Sequence, residues 1–342
     1  MRIVRVMSCS LCAVLSWCCA KAGPVPIGLV LSGGGAKGAY EVGVWQALQD
    51  AGLSSNIKVI SGTSVGAINA ALFATNPDAA EKLWFNHIDN VFTLNTNRVG
   101  QSIQKTLDTA SESVRIANET GEDWRGWGHF VLATLVRVAS NVVDETESKS
   151  LREGYFDSSR LAVALKANLP STWPPHTPAV YVTALEKGAW EPAVWRLNDE
   201  TQERRILMIR ASSAIPVGFD TVEIGGTAYV DGGFEVKGGD NVPINPILDN
   251  HPDVRTVIVV YLVDMKRLHA PQRDRVRRAA EQKGVKVVEI IPSEDTGGFL
   301  SMFKTSPDNA KKLIKLGRKD AHKVLKEAGL VKPISSVAKE TF

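Results

Sequence analysis

Ile27-Gly28-Leu29-Val30-Leu31-Ser32-Gly33-Gly34-Gly35-Ala36-Lys37-Gly38 decides how the rest of the chain is read. A short β-rich run that stops on a glycine cluster predicts a fully buried strand and a tight turn. From about Ala39 the apolar residues Val42, Trp45 and Leu48 recur at helical spacing, and Gly52 is a stop signal. The same order then repeats. Ile57 to Ser61 predicts a second strand, Gly62 to Gly66 a second tight turn, and Ala67 to Thr75 a second helix. Strand and helix alternating in this way imply parallel strands joined by helical crossovers. The expected fold is therefore α/β in three layers, a mostly parallel sheet with helices on both faces.

Outward from this opening, Val180 to Leu185 and Ala193 to Leu197 read as strands. Val222 to Ile224 and Thr227 to Val230 read as a hairpin about Gly225-Gly226. Val254 to Val263, a helix from Gln272 to Gly284, Val285 to Ile291 and helices from Pro307 to Gly329 close the chain in α/β style. Residues 77–170 read as a helical insertion, within which Trp124, Trp127, Val131, Leu135, Val138 and Val142 share one face. That face is a candidate for lipid contact. No linker splits the chain, so one domain is expected over 24–332, with a C-terminal tail at 333–342.

The four cysteines, Cys9, Cys12, Cys18 and Cys19, all lie within the first nineteen residues. Arg2 and Arg5 precede an uncharged, mostly apolar run from Val6 to Ala20, and Ala20-Lys21-Ala22 is a small-x-small cleavage site. Residues 1–22 are thus expected to be a signal peptide, cleaved near Ala22, and the protein exported: periplasmic, outer-membrane associated or secreted. Cleavage would remove Arg2, Arg5, Lys21 and no acid, leaving 37 basic residues against 37 acidic ones and no cysteine. Disulfides, zinc-thiolate sites and cysteine catalysis are excluded for such a mature chain. Neutrality hides an asymmetry, because from His251 onward there are 19 Lys/Arg and 11 Asp/Glu. A basic C-terminal region can attract anionic phosphate groups.

Three motifs carry chemistry. Gly33 to Gly38 satisfies G-x-G-x-x-G between a strand and a helix, which raises a dinucleotide-binding reading. That reading needs an acid at the end of the second strand, where Ser61-Gly62 stands. The same run offers backbone N–H groups beside a helix N-terminus, suited to any developing negative charge. Gly62-Thr63-Ser64-Val65-Gly66 is a G-x-S-x-G elbow placed after a strand and before a helix, which would expose the Ser64 hydroxyl above the sheet edge. Asp231-Gly232-Gly233 follows the second hairpin strand. Asp231 is a candidate base, since His87, His129, His176, His251, His269 and His322 lie outside every motif.

In this order, and with Ala211-Ser212-Ser213-Ala214-Ile215-Pro216 and Asn241-Val242-Pro243 between and after them, the motifs resemble the patatin-like phospholipase family. Ile290-Ile291-Pro292-Ser293 and the last helix extend the resemblance over most of the chain after residue 22. Ser32 and Lys37 replace the Asp and Arg common in plant members, and in this the chain looks like bacterial ones. The resemblance implies a lipid acyl hydrolase that cleaves fatty-acyl esters of (glycero)phospholipids. It implies Ser64 as nucleophile, Asp231 as proton acceptor, an acyl-serine intermediate, and an oxyanion hole from Gly33, Gly34, Gly35 and Gly38. Gly62, Gly66, Gly232 and Gly233 would support these turns. Burial would have to raise the pKa of Asp231 for it to serve as a base.

No cofactor and no metal is called for. The expected partner is a membrane lipid or lipid aggregate met as a peripheral contact, with no nucleic acid, no nucleotide and no obligate protein partner. Lysophospholipase, neutral-lipid esterase or thioesterase activity with the same dyad remains open. So does a Ser-His-Asp α/β-hydrolase using Ser64 and His322, although that fold places several strands before its elbow. A catalytically dead lipid-binding module is a further alternative.

Overall fold

The computed structural model describes residues 25–86, 158–215, 219–233, 238–265, 268, 270–297, 301–302 and 306–331. At its centre lies β1 (Ile27–Leu31), buried along its whole length. It is flanked in parallel by β2 (Ile57–Thr63) and β7 (Thr256–Val260). β3 (Ala179–Glu186) continues the parallel set beyond β2, and β8 (Lys286–Ile290) beyond β7. Three antiparallel strands complete an eight-stranded sheet: β4 (Pro192–Arg196) and β6 (Thr227–Asp231) on β3, and β5 (Val222–Ile224) on β6.

The two-residue period of a strand divides the core. Leu29 and Leu31 face one cluster while Val30 faces the other. The first cluster is covered by α1 (Ala39–Asp50), α2 (Val65–Thr75), α3 (Pro77–Asn86), α4 (Ser159–Asn168), α5 (Gln202–Ser212) and α8 (Pro307–Glu327). The second is covered by α6 (Asn245–Asn250) and α7 (Ala270–Gln282). This is the expected three-layer arrangement.

Helices α1 and α8 cross at almost backbone contact. A Cβ at Gly43 would strike the carbonyl of Ile314, and one at Gly317 the carbonyl of Tyr40. α8 is defined locally as well. Ser306 accepts the Asn309 N–H at 3.2 Å, Pro307 occupies the first turn, and Leu313, Ile314, Ala321 and Leu325 form its buried stripe.

The structure sharpens the expected elements at two points that matter for the site. β2 runs to Thr63 and α2 begins at Val65, so the second turn is a single residue, Ser64. α5, absent from the sequence expectations, packs under the hairpin. Its Gln202-Glu203-Arg204-Arg205 start is too polar to show an apolar stripe. The C-terminal helices are one continuous α8. Residues 77–86 and 159–168 are helical, as expected of the insertion. The expected signal peptide, the Trp124 to Val142 face, the rest of the insertion and the tail at 333–342 lie outside the described residues.

Candidate active site

Ser64 is the one non-glycine residue with positive φ among the described residues, at φ 56° and ψ −124°. Strain of this kind persists only where the surroundings over-determine it. Here the flanking glycines make room. A Cβ at Gly62 would strike the carbonyl of Gly66, and a Cβ at Gly66 the carbonyl of Leu31. The elbow can therefore fold back against β1 and start α2 at once, lifting Ser64 out of the strand. The Ser64 carbonyl still accepts from Ala67 and Ile68, at 2.9 and 3.3 Å, as the first carbonyl of the helix.

Asp231 reaches the same place from another part of the chain. β4 occupies one edge of β3 along residues 181–185, so β2 and β6 must share the other edge end to end. Thr63 pairs with Thr183, and Asp231 pairs with the next residue, Ala184. The antiparallel hairpin thus takes over the edge where β2 stops, and Asp231 lies in line with the elbow. Gly232 permits this approach, since a Cβ there would hit the carbonyl of Thr183.

Burial raises the Asp231 pKa to about 6, offset in part by hydrogen bonding from Ser64 and from the Gly233 N–H. Oδ1 accepts from Gly233 at 2.7 Å, whereas Oδ2 is buried with no partner in good hydrogen-bonding geometry among the described residues. The carboxyl therefore keeps one oxygen satisfied and one open. Ser64 and Asp231 are both nearly inaccessible, at 4% and 6% relative exposure. Within such a site an ionised carboxylate is a stronger base than in water.

The glycine run packs against this pair. A Cβ at Gly33 would meet the Asn241 side chain and lie 3.1 Å from the Ser64 Cβ. The Gly33 N–H already donates to Asn241, at 3.1 Å to Oδ1 and 3.3 Å to the backbone carbonyl. Gly33 therefore contributes spacing, and its N–H is committed. Gly35 takes φ 57° where a Cβ would strike the Met302 carbonyl, and Gly38 makes room for Val65 and Trp84. Lys37, though buried, directs its ammonium to the Gly297 carbonyl at 2.7 Å, tying the segment after β8 to the turn.

Asn241 also stands against Gly233, where a Cβ would meet its Oδ1. One carboxamide thus sits between the glycine turn and the Asp231 turn. Its neighbour Asp240 joins the same structure: its carbonyl accepts from Thr63 Oγ1 at 2.7 Å, and its N–H donates to the Gly232 carbonyl at 2.7 Å.

No described histidine bonds to Ser64 or Asp231. His322 pairs with Asp50 at 2.9 Å on the α1–α8 seam, and His251 contacts the Tyr181 hydroxyl at 3.3 Å. The end of β2, where a nucleotide-binding turn would hold its acid, carries Ser61 and Gly62, both buried. Among the described residues no cluster of His, Cys, Asp and Glu is placed to hold a metal ion.

Residues 29–250, more than half of the chain, match the sequence model of the patatin-like phospholipases. The chain belongs to that family. Curated relatives match over short stretches. "Lysophospholipase nte1" of Aspergillus terreus is 54% identical over 52 residues, 15% of this chain and 3% of that protein. A patatin-like phospholipase domain-containing protein of Caenorhabditis elegans is 39% identical over 71 residues, 19% of this chain and 5% of that protein. Among solved structures, VipD from Legionella pneumophila aligns with 89% of this chain and 67% of its own at 17% identity and TM-score 0.47. Human GIVD cytosolic phospholipase A2 aligns with 90% of this chain and 60% of its own at 10% identity and TM-score 0.45. Likenesses this loose transfer no residue's role.

In this patatin-like chain the sequence motifs named the two turns but missed what braces them. Ser212 and Asn241 stand in quoted runs without any local signal of their roles. Glu41 had no signal at all. It is fully buried in α1, where Oε2 accepts from Asn69 Nδ2 at 2.8 Å, and Asn69 in turn accepts from Trp84 Nε1 at 3.0 Å. Burial holds the Glu41 carboxyl far above the usual carboxylate range, hence neutral.

Proposed function

We propose that the protein is a lipid acyl hydrolase that cleaves fatty-acyl esters of phospholipids through a Ser64–Asp231 dyad. The observation that carries this reading is the strained Ser64 facing a buried carboxyl whose pKa is raised to about 6. Membership of the patatin-like phospholipase family supplies the substrate class.

In this reading Asp231 Oδ2 accepts the hydroxyl proton as Ser64 Oγ attacks the acyl carbonyl carbon. The developing oxyanion is met by N–H groups of the glycine turn; with Gly33 engaged by Asn241, Gly34 and Gly35 are the donors we assign. One such donor is typically worth about 10² to 10³ in rate. Collapse breaks the ester C–O bond, and Asp231 returns its proton to the leaving alkoxide. Water then attacks the acyl-Ser64 carbonyl as Asp231 takes its proton, the bond from Ser64 Oγ to the acyl carbon breaks, Asp231 returns the proton to Oγ, and fatty acid leaves. Every proton moves between Ser64, Asp231, the leaving group and water.

A lysophospholipid is the second substrate to test, because the short curated matches include proteins named lysophospholipase. Export after cleavage near Ala22 completes the proposal, supported by the charge and apolar pattern of residues 1–22. The deciding experiment measures fatty-acid release from phospholipid vesicles by the wild type, Ser64→Ala and Asp231→Asn. A lipid panel is run in parallel with lysophospholipid, triacylglycerol and an acyl thioester. Full activity in either variant ends the dyad reading, and the preferred lipid in the panel sets the substrate.

A further inference from the structure

We propose that Arg275, on α7, is a positioning residue for the dyad: its guanidinium clamps Asp240 and thereby fixes the loop at residues 240–242 that ties nucleophile, base and glycine turn together. The inference rests on the dyad reading above. Arg275 bonds to neither Ser64 nor Asp231 and acts through Asp240.

The loop meets each part of the site one residue away from the reacting group. The Asp240 carbonyl accepts from Oγ1 of Thr63, which precedes Ser64, and the Asp240 N–H donates to the carbonyl of Gly232, which follows Asp231, both at 2.7 Å. Asn241 accepts the N–H of Gly33, which precedes the assigned oxyanion donors Gly34 and Gly35. A shift of these three loop residues therefore displaces nucleophile, base and oxyanion turn relative to one another. On the first-cluster face of the sheet the elbow is held by the end of α5, where the Ser64 N–H donates to Ser212 Oγ at 2.9 Å. Arg275 works from the opposite face. There α7 is seated through Val276 and Ala280 in the same cluster as Val242 and Ile244.

Arg275 Nη2 donates to Asp240 Oδ1 at 2.5 Å and Nη1 to Oδ2 at 3.3 Å, so the fork engages both carboxylate oxygens. Nη2 also reaches the Val242 carbonyl at 3.5 Å, and Oδ1 accepts the Val242 N–H at 3.0 Å. The bridge is buried at one end, with the Asp240 side chain 11% exposed and that of Arg275 38%. A carboxylate this far from water needs a paired cation; without one, the loop gains by turning Asp240 outward. Lysine would restore the charge but not the two-pronged geometry. Arg273, two residues earlier, supplies a control. Its guanidinium makes a bidentate pair with Glu289, at 2.9 and 2.7 Å, which joins α7 to β8 instead of to the loop.

The test compares the full-length wild type with Arg275→Gln, Arg275→Lys, Asp240→Asn, the double variant Asp240→Asn/Arg275→Gln, Arg273→Gln and Ser64→Ala. Steady-state hydrolysis of p-nitrophenyl butyrate gives kcat and KM, the rate of covalent labelling by an alkyl fluorophosphonate reports the nucleophile alone, and thermal melts report stability. Arg275→Gln should lose about 10-fold in kcat with KM within about twofold of wild type, since a misplacement of roughly 1 Å is enough to slow a reaction that much. Labelling should slow by a similar factor, and Arg275→Lys should recover part of the rate. Arg273→Gln should keep the wild-type kcat even where its melting temperature falls as far. The double variant should be no slower than Asp240→Asn, because both changes break one contact. If Arg275→Gln does not fold, the double variant takes its place with the same expected loss, since it leaves no buried charge uncompensated. Wild-type kcat in folded Arg275→Gln or in the double variant, an equal kcat loss in Arg273→Gln, or losses that multiply in the double variant would each overturn the inference. Activity surviving in Ser64→Ala would instead overturn the dyad reading. An inactive Ser64→Ala beside a fully active Arg275→Gln sinks the Arg275 inference alone.

Discussion

The two turns of the site are built in opposite ways. The Ser64 elbow is local: five consecutive residues, two of them glycines without room for a side chain, set its shape against the strand they follow. The Asp231 turn owes its position to distant elements. β6 must find the free edge of β3, α5 must close beneath it, and Asn241 must stand between it and the glycine run. Mutations should therefore act differently in the two regions, through chain geometry at the elbow and through chemistry and long-range bonding at Asp231.

The largest effect should come from removing either group of the proposed dyad. Ser64→Ala and Asp231→Asn are each expected to lower vesicle hydrolysis by about 10³-fold or more, in a fatty-acid release assay with both variants folded. A wide gap between the two losses would break their proposed partnership. Next comes geometry. Gly66→Ala should destabilise by about 4 kcal/mol or more, since its Cβ would enter the Leu31 carbonyl. Gly225→Ala at the hairpin tip has φ 63° but open space, and should cost about 1 kcal/mol. Urea unfolding of the two variants measures the contrast.

A third effect separates function from stability at Asp231. Its folded pKa of about 6 exceeds the unfolded value, so the folded protein holds a proton that the unfolded chain has released between those values. Wild-type stability should fall as pH rises through that window. Asp231→Asn should consequently be inactive yet more stable at pH 8, by as much as about 3 kcal/mol, while its melting temperature matches wild type near pH 4. Wild-type kcat/KM should in turn drop as pH falls below about 6, where the base takes its proton.

The smallest effect is expected at Glu41. Because its folded carboxyl is held neutral, Glu41→Gln should change stability by less than about 1 kcal/mol near pH 4, where the unfolded wild type is largely protonated too. The sign follows from the raised pKa: wild type loses stability as pH climbs from the unfolded value toward the folded one, so the Gln variant should gain relative to it above about pH 5. Thermal melts from pH 4 to 8 would show whether the two curves diverge in that direction.

β1 was readable to its ends because a short apolar run between Pro26 and the glycine cluster from Gly33 has few alternatives as a structure. Gly62 and Gly66 were readable because steric exclusion leaves its mark as a missing side chain. α5 was not, since Gln202-Glu203-Arg204-Arg205 shows no apolar stripe, and Arg205 is buried by donating to the carbonyls of Ser171, Leu197 and Asn198. Ser212 looked like any serine in a short polar run. A bond across 148 residues leaves no local trace.

By itself, then, the sequence determined the α/β alternation, the glycine-lined elbow and the two residues of the proposed dyad. Each of these depends on neighbours in the chain, through periodicity, sterics and turn chemistry. Only the tertiary structure decided that Asp231 continues the edge where β2 ends, that burial raises its pKa to about 6, that Gly33 gives its N–H to Asn241, and that Ser64 gives its N–H to Ser212. Those properties arise from desolvation and from hydrogen bonds between segments far apart in sequence, and they exist only once the sheet has brought the segments together.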